Sequence, residues 1–108
     1  MGAGKSVKNF RKKLNSLKSE IEYLDIKPIF INQLMFDGLK DKKLFLINNE
    51  LKKFTLDNSY FIINLDEILL MKKNDYYDSA HTTPQGSKRI AEKIFPLLLK
   101  FFEDYNEL

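Results

Sequence analysis

Apolar residues recur at helical spacing over the first part of the chain. Phe10, Leu14, Leu17, Ile21 and Leu24 step by 4, 3, 4 and 3, which draws one stripe along an α-helix. Lys8, Lys12, Lys18 and Glu22 fall off the stripe, so the predicted helix is amphipathic. The pattern then changes. Pro28-Ile29-Phe30-Ile31-Asn32-Gln33-Leu34 is short, β-branched and mostly apolar, as a buried parallel strand is. Pro28 favours an extended backbone just before it. Phe36-Asp37-Gly38 reads as a turn and Asp41 as the cap of a second helix, whose stripe is Leu44, Ile47, Leu51 and Phe54. Asp57-Asn58-Ser59 is a second turn. Tyr60-Phe61-Ile62-Ile63-Asn64-Leu65 is a second buried strand, with Asp66 at its end and a short helical turn through Leu70. Lys72 to Thr83 is polar and turn-rich. Thr83-Pro84 has the form of an N-cap followed by proline at the first helical position. Ile90, Ile94, Leu98, Phe101 and Phe102 form the expected buried face of the last helix. Pro96 inside that helix is expected to kink it or leave one carbonyl unbonded.

The predicted order is α-β-α-β-α, an α/β class with a short parallel sheet covered by helices. A two-stranded parallel sheet has both edges and both faces to cover, more than three helices achieve. Residues 1–108 are therefore expected to be a single, partial α/β domain. Either a homo-oligomer or a missing N-terminal half would complete it.

Composition narrows the chemistry. Leu, Ile, Val and Phe account for 36 of 108 residues, too many for intrinsic disorder. No apolar run approaches the roughly 20 residues of a membrane-spanning helix. Cysteine is absent, which excludes disulfides, thiolate catalysis and zinc–cysteine sites. The single histidine excludes a multi-histidine metal site, and no metal or cofactor is expected. The net charge of +3 comes from 16 lysines and only 2 arginines. Nucleic-acid readers lean on arginine, and no aromatic residues interleave with Arg11-Lys12-Lys13, so no nucleic-acid partner is expected. Gly2-Ala3-Gly4-Lys5-Ser6 lacks the upstream glycine and strand of a phosphate loop. Met1-Gly2-x-x-x-Ser6 matches an N-myristoylation pattern with basic residues behind it, but the pattern is short and a membrane partner is not expected. With no secretory apolar run after the N-terminal lysines, the expected address is the cytoplasm.

The candidate chemistry lies in Asp78-Ser79-Ala80-His81. An aspartate three residues before a histidine in a turn can place its carboxylate on the imidazole Nδ1–H, leaving Nε2 to take a proton from a nucleophile. The same tetrapeptide also suits a loop histidine capped by a nearby carboxylate. Asp66 is read as a turn or helix-capping residue. Asn32 and Gln33 end a strand, where they either face a cleft or, as the preferred reading, satisfy loop backbone groups. Tyr76 and Tyr77 either line a pocket or pack over the last helix.

Tyr77-Asp78-Ser79-Ala80-His81-Thr82-Thr83-Pro84-Gln85-Gly86-Ser87-Lys88-Arg89-Ile90-Ala91 resembles the last motif block of the SGNH/GDSL hydrolases, in which Asp-x-x-His precedes a glycine that opens a helix. Lys27 to Ile31, Leu46 to Leu51 and Phe61 to Asp66 resemble the family's penultimate core strand, its asparagine-bearing helix and its final strand. The resemblance spans roughly Phe10 to Phe102 and is specific only in the Asp78–Ile90 block. It implies a three-layer α/β/α, flavodoxin-like fold and a Ser-His-Asp ester hydrolase, with His81 as general base and Asp78 orienting it. The ester would sit on an acylated sugar or a lipid. The family's Gly-Asp-Ser nucleophile motif, its oxyanion-hole glycine block and its Gly-x-Asn-Asp block are absent from this sequence. The chain is thus expected to be a C-terminal segment, inactive alone, since one oxyanion donor is itself worth about 10² to 10³ in turnover. The alternative is a non-catalytic α/β module that binds a partner or self-associates.

Overall fold

The computed structural model describes residues 3–34, 42–78 and 81–106, with side chains from residue 4 to residue 104. The elements run α1 (Ala3–Leu24), β1 (Ile29–Ile31), α2 (Lys42–Asn58), β2 (Phe61–Ile63), α3 (Leu65–Ile68), a 3₁₀ turn (Lys73–Asp75) and α4 (Pro84–Asn106). The predicted turn at Phe36-Asp37-Gly38 and the cap at Asp41 lie outside the described residues. The result is a helix-rich chain with a small two-stranded parallel sheet. Its described residues divide into two compact units, one built of residues 3–33 and 42–64, the other of residues 34, 65–78 and 81–106.

The first unit is a β-α-β crossover with α1 beside α2. β1 and β2 pair in parallel with Ile29 opposite Phe61, Phe30 opposite Ile62 and Ile31 opposite Ile63. The strands are three residues each, shorter than the apolar runs that predict them. They are also less buried than expected: Ile63 is buried, the other strand residues are half-buried, and Ile31 is exposed. Among the described residues each strand has a single neighbour; Phe30 and Ile62 share the face packed against Leu14, Leu51 and Phe54, while the buried Ile63 lies on the opposite face.

The core joins Leu14 of α1 to Leu51 and Phe54 of α2, with Phe10, Phe30, Tyr60 and Ile62 packed against them. Phe30, Phe54 and Tyr60 form an aromatic trio with ring centroids 5.7 to 5.8 Å apart, within the usual range for such contacts. Only one flank of the predicted α1 stripe is used. Leu14 and Ile21 are buried, whereas Leu17 and Leu24, on the other flank, are exposed.

Both long helices of this unit end in the same way. The Asp25 N–H donates to the Glu22 carbonyl at 3.3 Å, and the Ile26 N–H to the Ile21 carbonyl at 3.3 Å. At the end of α2 the Ser59 N–H reaches the Leu56 carbonyl at 3.3 Å, and the Tyr60 N–H reaches Thr55 at 2.9 Å. This paired pattern satisfies the last carbonyls but demands a left-handed residue, usually glycine. Here Asp25 (φ 52°) and Ser59 (φ 56°) fill the role.

The second unit is α3, the 3₁₀ turn and α4. The Thr83-Pro84 start of α4 forms as predicted. The Gly86 N–H donates to Thr83 Oγ1 at 3.1 Å, and the Ser87 N–H donates to the Thr83 carbonyl at 2.9 Å. α4 runs unbroken past Pro96, whose missing N–H leaves the Glu92 carbonyl without its helical donor. Its predicted buried face is only partly so. Phe101 is buried, Ile90, Ile94 and Leu98 are half-buried, and Phe102 is exposed. Among the described residues no helix is long and apolar enough to cross a membrane.

Candidate active site

Asp78 and His81 touch. His81 Nδ1 lies 2.8 Å from Asp78 Oδ2 and 3.1 Å from Oδ1. The His81 backbone N–H also donates to Asp78 Oδ1 at 2.7 Å. One carboxylate thus fixes both the turn and the ring. With a carboxylate at Nδ1, the neutral imidazole carries its proton there and presents the Nε2 lone pair outward. The pair lies in the open, with side-chain exposures of 79% for His81 and 56% for Asp78.

Short-range bonding carries this tip. Tyr76 and Thr82 form an isolated antiparallel bridge, and the Tyr77 N–H donates to the His81 carbonyl at 2.7 Å. Residues 76–77 and 81–82 therefore make a miniature ribbon with Asp78 and His81 at its end. Below it, the Thr83 N–H donates to the Asp75 carbonyl at 2.9 Å, and the Thr83 hydroxyl donates to the Asn74 carbonyl at 3.0 Å. Thr82 Oγ1 and Ser87 Oγ are 2.7 Å apart. Burial pushes the Tyr76 phenol above its ordinary pKa, and the Asp75 charge adds to the effect.

Asp75, which the sequence pattern does not mark, is fully buried. Its Oδ2 accepts the Lys72 N–H at 2.7 Å and pairs with Arg89 Nη1. Arg89 Nη2 donates to the Leu70 carbonyl at 2.9 Å. Asp75 Oδ1 has no hydrogen-bond partner among the described residues. Gly86 lies against this turn so closely that a Cβ there would stand 2.1 Å from the Asp75 carbonyl oxygen. A signal for Arg89 does exist in composition: arginine is rare in this lysine-rich chain, and both arginines pair with a carboxylate, Arg11 as a fork on Glu50 and Arg89 through Nη1 alone on Asp75. In the first unit Arg11 pairs with Glu50 and holds its carboxyl below the ordinary glutamate pKa.

The remaining sequence candidates are placed as follows. Asn32 is buried at the end of β1, and its Nδ2 donates to Asn64 Oδ1 at 3.0 Å, so the two strand ends are bridged by carboxamides. Gln33 contributes its backbone. Its N–H donates to Asn48 Oδ1 at 3.3 Å, and its carbonyl accepts from Asn48 Nδ2 at 2.8 Å. Asn48, buried on α2, thus satisfies the loop backbone. A polar residue on the apolar stripe, between Ile47 and Leu51, is the sign that marks it. Asp66 sits in the first turn of α3, and Tyr77 is exposed. Ser79 lies outside the described residues. Among the described residues no serine hydroxyl is hydrogen-bonded to the His81 ring, and no group of three or more metal-ligating side chains forms. Comparison of the chain with protein-family models, curated proteins and solved structures finds no match.

Proposed function

We propose that this chain carries the histidine–aspartate half of a Ser-His-Asp ester-hydrolase site of SGNH/GDSL type, as the C-terminal segment of a three-layer α/β/α, flavodoxin-like domain. The observation that supports it is the Asp78 carboxylate on His81 Nδ1 with Nε2 facing outward. A parallel β-α-β crossover in the same chain agrees with that architecture. In this role His81 Nε2 removes the proton of a serine hydroxyl as its oxygen attacks an ester carbonyl. The tetrahedral intermediate collapses, and the same proton passes to the leaving alkoxide. Asp78 keeps the ring in the required tautomer and stabilises the imidazolium. The nucleophile and the oxyanion donors come from polypeptide beyond these residues, and the substrate is an acyl ester of a sugar or a lipid. Alone, the chain is inactive.

Fluorophosphonate treatment of the pure folded chain, read by intact mass and peptide mapping, tests this. The expected result is no adduct. A single adduct on Ser6, Ser16, Ser19, Ser59, Ser79 or Ser87, lost in His81→Ala, identifies a complete site within this chain and overturns the half-site assignment. A second role, self-association, is favoured by Phe95, Leu99 and Phe102, which share one exposed face of α4 at helical spacing. Sedimentation equilibrium tests it: a monomer at all concentrations removes it.

A further inference from the structure

We infer that Asp75 is a positioning residue for the Asp78–His81 pair: with Arg89 it clamps the root of the loop whose tip holds His81. The inference rests on the half-site assignment above and extends it to a group that touches neither a nucleophile nor a substrate. Asp75 gathers separate points of the chain at one fully buried side chain. Its Oδ2 takes the Lys72 N–H and Arg89 Nη1, and its carbonyl takes the Thr83 N–H. Arg89 extends the clamp to the Leu70 carbonyl at 2.9 Å. Thr83 is the last residue before α4, and Tyr76, the next after Asp75, opens the ribbon. Both strands of the ribbon therefore leave from residues tied to Asp75.

Charge economy supports the assignment. Asp75 is fully buried and Arg89 half-buried, and an ion pair with a desolvated partner contributes little stability over an apolar pair of the same volume, while its geometry is strict. Asp75 even leaves Oδ1 without a partner among the described residues. Simple stability does not account for a buried carboxylate here, whereas fixing the loop root does. His81 and Asp78 are exposed, so the ring receives no packing from a core. Its orientation depends on the ribbon, and the ribbon depends on its root.

The chain has one histidine, so every imidazole signal reports on His81. The experiment is ¹⁵N NMR of the ring at about pH 8.5, where an ordinary histidine is neutral. It reads the share of the Nδ1–H tautomer. Asp78→Ala sets the floor. Asp75→Asn removes one charge of the clamp, Arg89→Gln removes the other, and the double variant removes both and leaves no buried unpaired charge to unfold the chain. The expected result is that the double variant and each folded single variant lose at least half of the tautomer share that Asp78→Ala loses. The two tautomers differ in the direction of their dipoles, so a charge that acted only through its field would move their ratio in opposite senses when a negative or a positive charge is removed. Loss in the same direction from removing a negative or a positive charge marks geometry rather than field.

A double variant with the wild-type share, or single variants that move it in opposite directions, overturns the role of Asp75. A wild-type share no higher than that of Asp78→Ala removes the dyad itself, and with it both the half-site assignment and this inference. A failure of Asp75 alone, with Asp78→Ala still active on the ring, leaves the half-site assignment standing.

Discussion

Gly86→Ala is the sharpest test of the packing described here, because two ordinary effects oppose one another at that position. Alanine in place of glycine inside a helix stabilises by about 0.8 to 1.0 kcal/mol. At Gly86, however, the new Cβ would stand 2.1 Å from the Asp75 carbonyl oxygen, against the 3.0 Å that real Cβ contacts respect. The first turn of α4 and the 3₁₀ turn must separate by about 0.9 Å to admit it. The obstacle is backbone, which has no rotamer to yield. The Thr83 N–H to Asp75 carbonyl bond, 2.9 Å long, spans the same gap and would open towards 4 Å, beyond hydrogen-bond reach. Overpacking of this kind costs about 1 to 3 kcal/mol, and a lost hydrogen bond about another 1 kcal/mol. The net expectation is a loss of about 1 to 3 kcal/mol despite the gain in helix propensity. For a chain of this size that lowers Tm by at least about 4 °C. Gly4→Ala is the control. It lies in α1 with nothing within 4 Å of its Cβ, and it is expected to hold or raise Tm. Thermal unfolding by far-UV circular dichroism gives both numbers. A Gly86→Ala protein as stable as wild type would refute the close approach of α4 to Asp75.

Ser59→Gly relieves a left-handed residue at the end of α2 and is expected to raise stability by about 0.5 to 1 kcal/mol in urea unfolding; a loss would show that the serine side chain contributes there. Asn48→Ala leaves the Gln33 N–H and carbonyl without their partner and is expected to cost about 1 to 3 kcal/mol, measured the same way. Glu50 titrates below its ordinary 4.5 in the folded chain, so its contribution is complete above about pH 4.5 and fades as pH falls through the folded value; Glu50→Gln should flatten that acid limb, and salt should weaken it. Tyr76 is shifted the other way, so its contribution holds below pH 10.0 and fades as pH rises through the folded value, a limb that Tyr76→Phe should abolish.

Helices were the legible part of this chain because their signal is periodic and local. The stripes at Leu14 and Ile21, and at Leu51 and Phe54, mark faces that are buried, and Thr83-Pro84 marks a helix start made by a named hydrogen bond. Strand length was less legible. Apolar runs of six or seven residues carry three-residue strands, because pairing needs a neighbour and composition does not say where one ends. Asp78 and His81 were legible as a pair because they stand three positions apart and a turn closes that distance. Asp75 was not, because its partners are Arg89, fourteen residues on, and the backbone of Lys72 and Thr83. No spacing rule joins those positions. Nor does apolar spacing show how many sides of a helix find a partner, which is why Leu17, Leu24 and Phe102 are exposed rather than buried.

The parallel sheet has a kinetic consequence. Its strand ends, joined through Asn32 and Asn64, close a loop of 32 residues, whereas the clamp of Asp75 on Arg89 closes one of 14. Chain entropy makes the longer closure dearer by about 0.7 kcal/mol, and a parallel pairing also waits for its intervening helix. From an unfolded start the histidine loop is therefore expected to close before β1 finds β2. During that interval the apolar strand segments stand open to strands of other molecules, so slow refolding at high concentration loses protein through its sheet, with the loop around His81 already made.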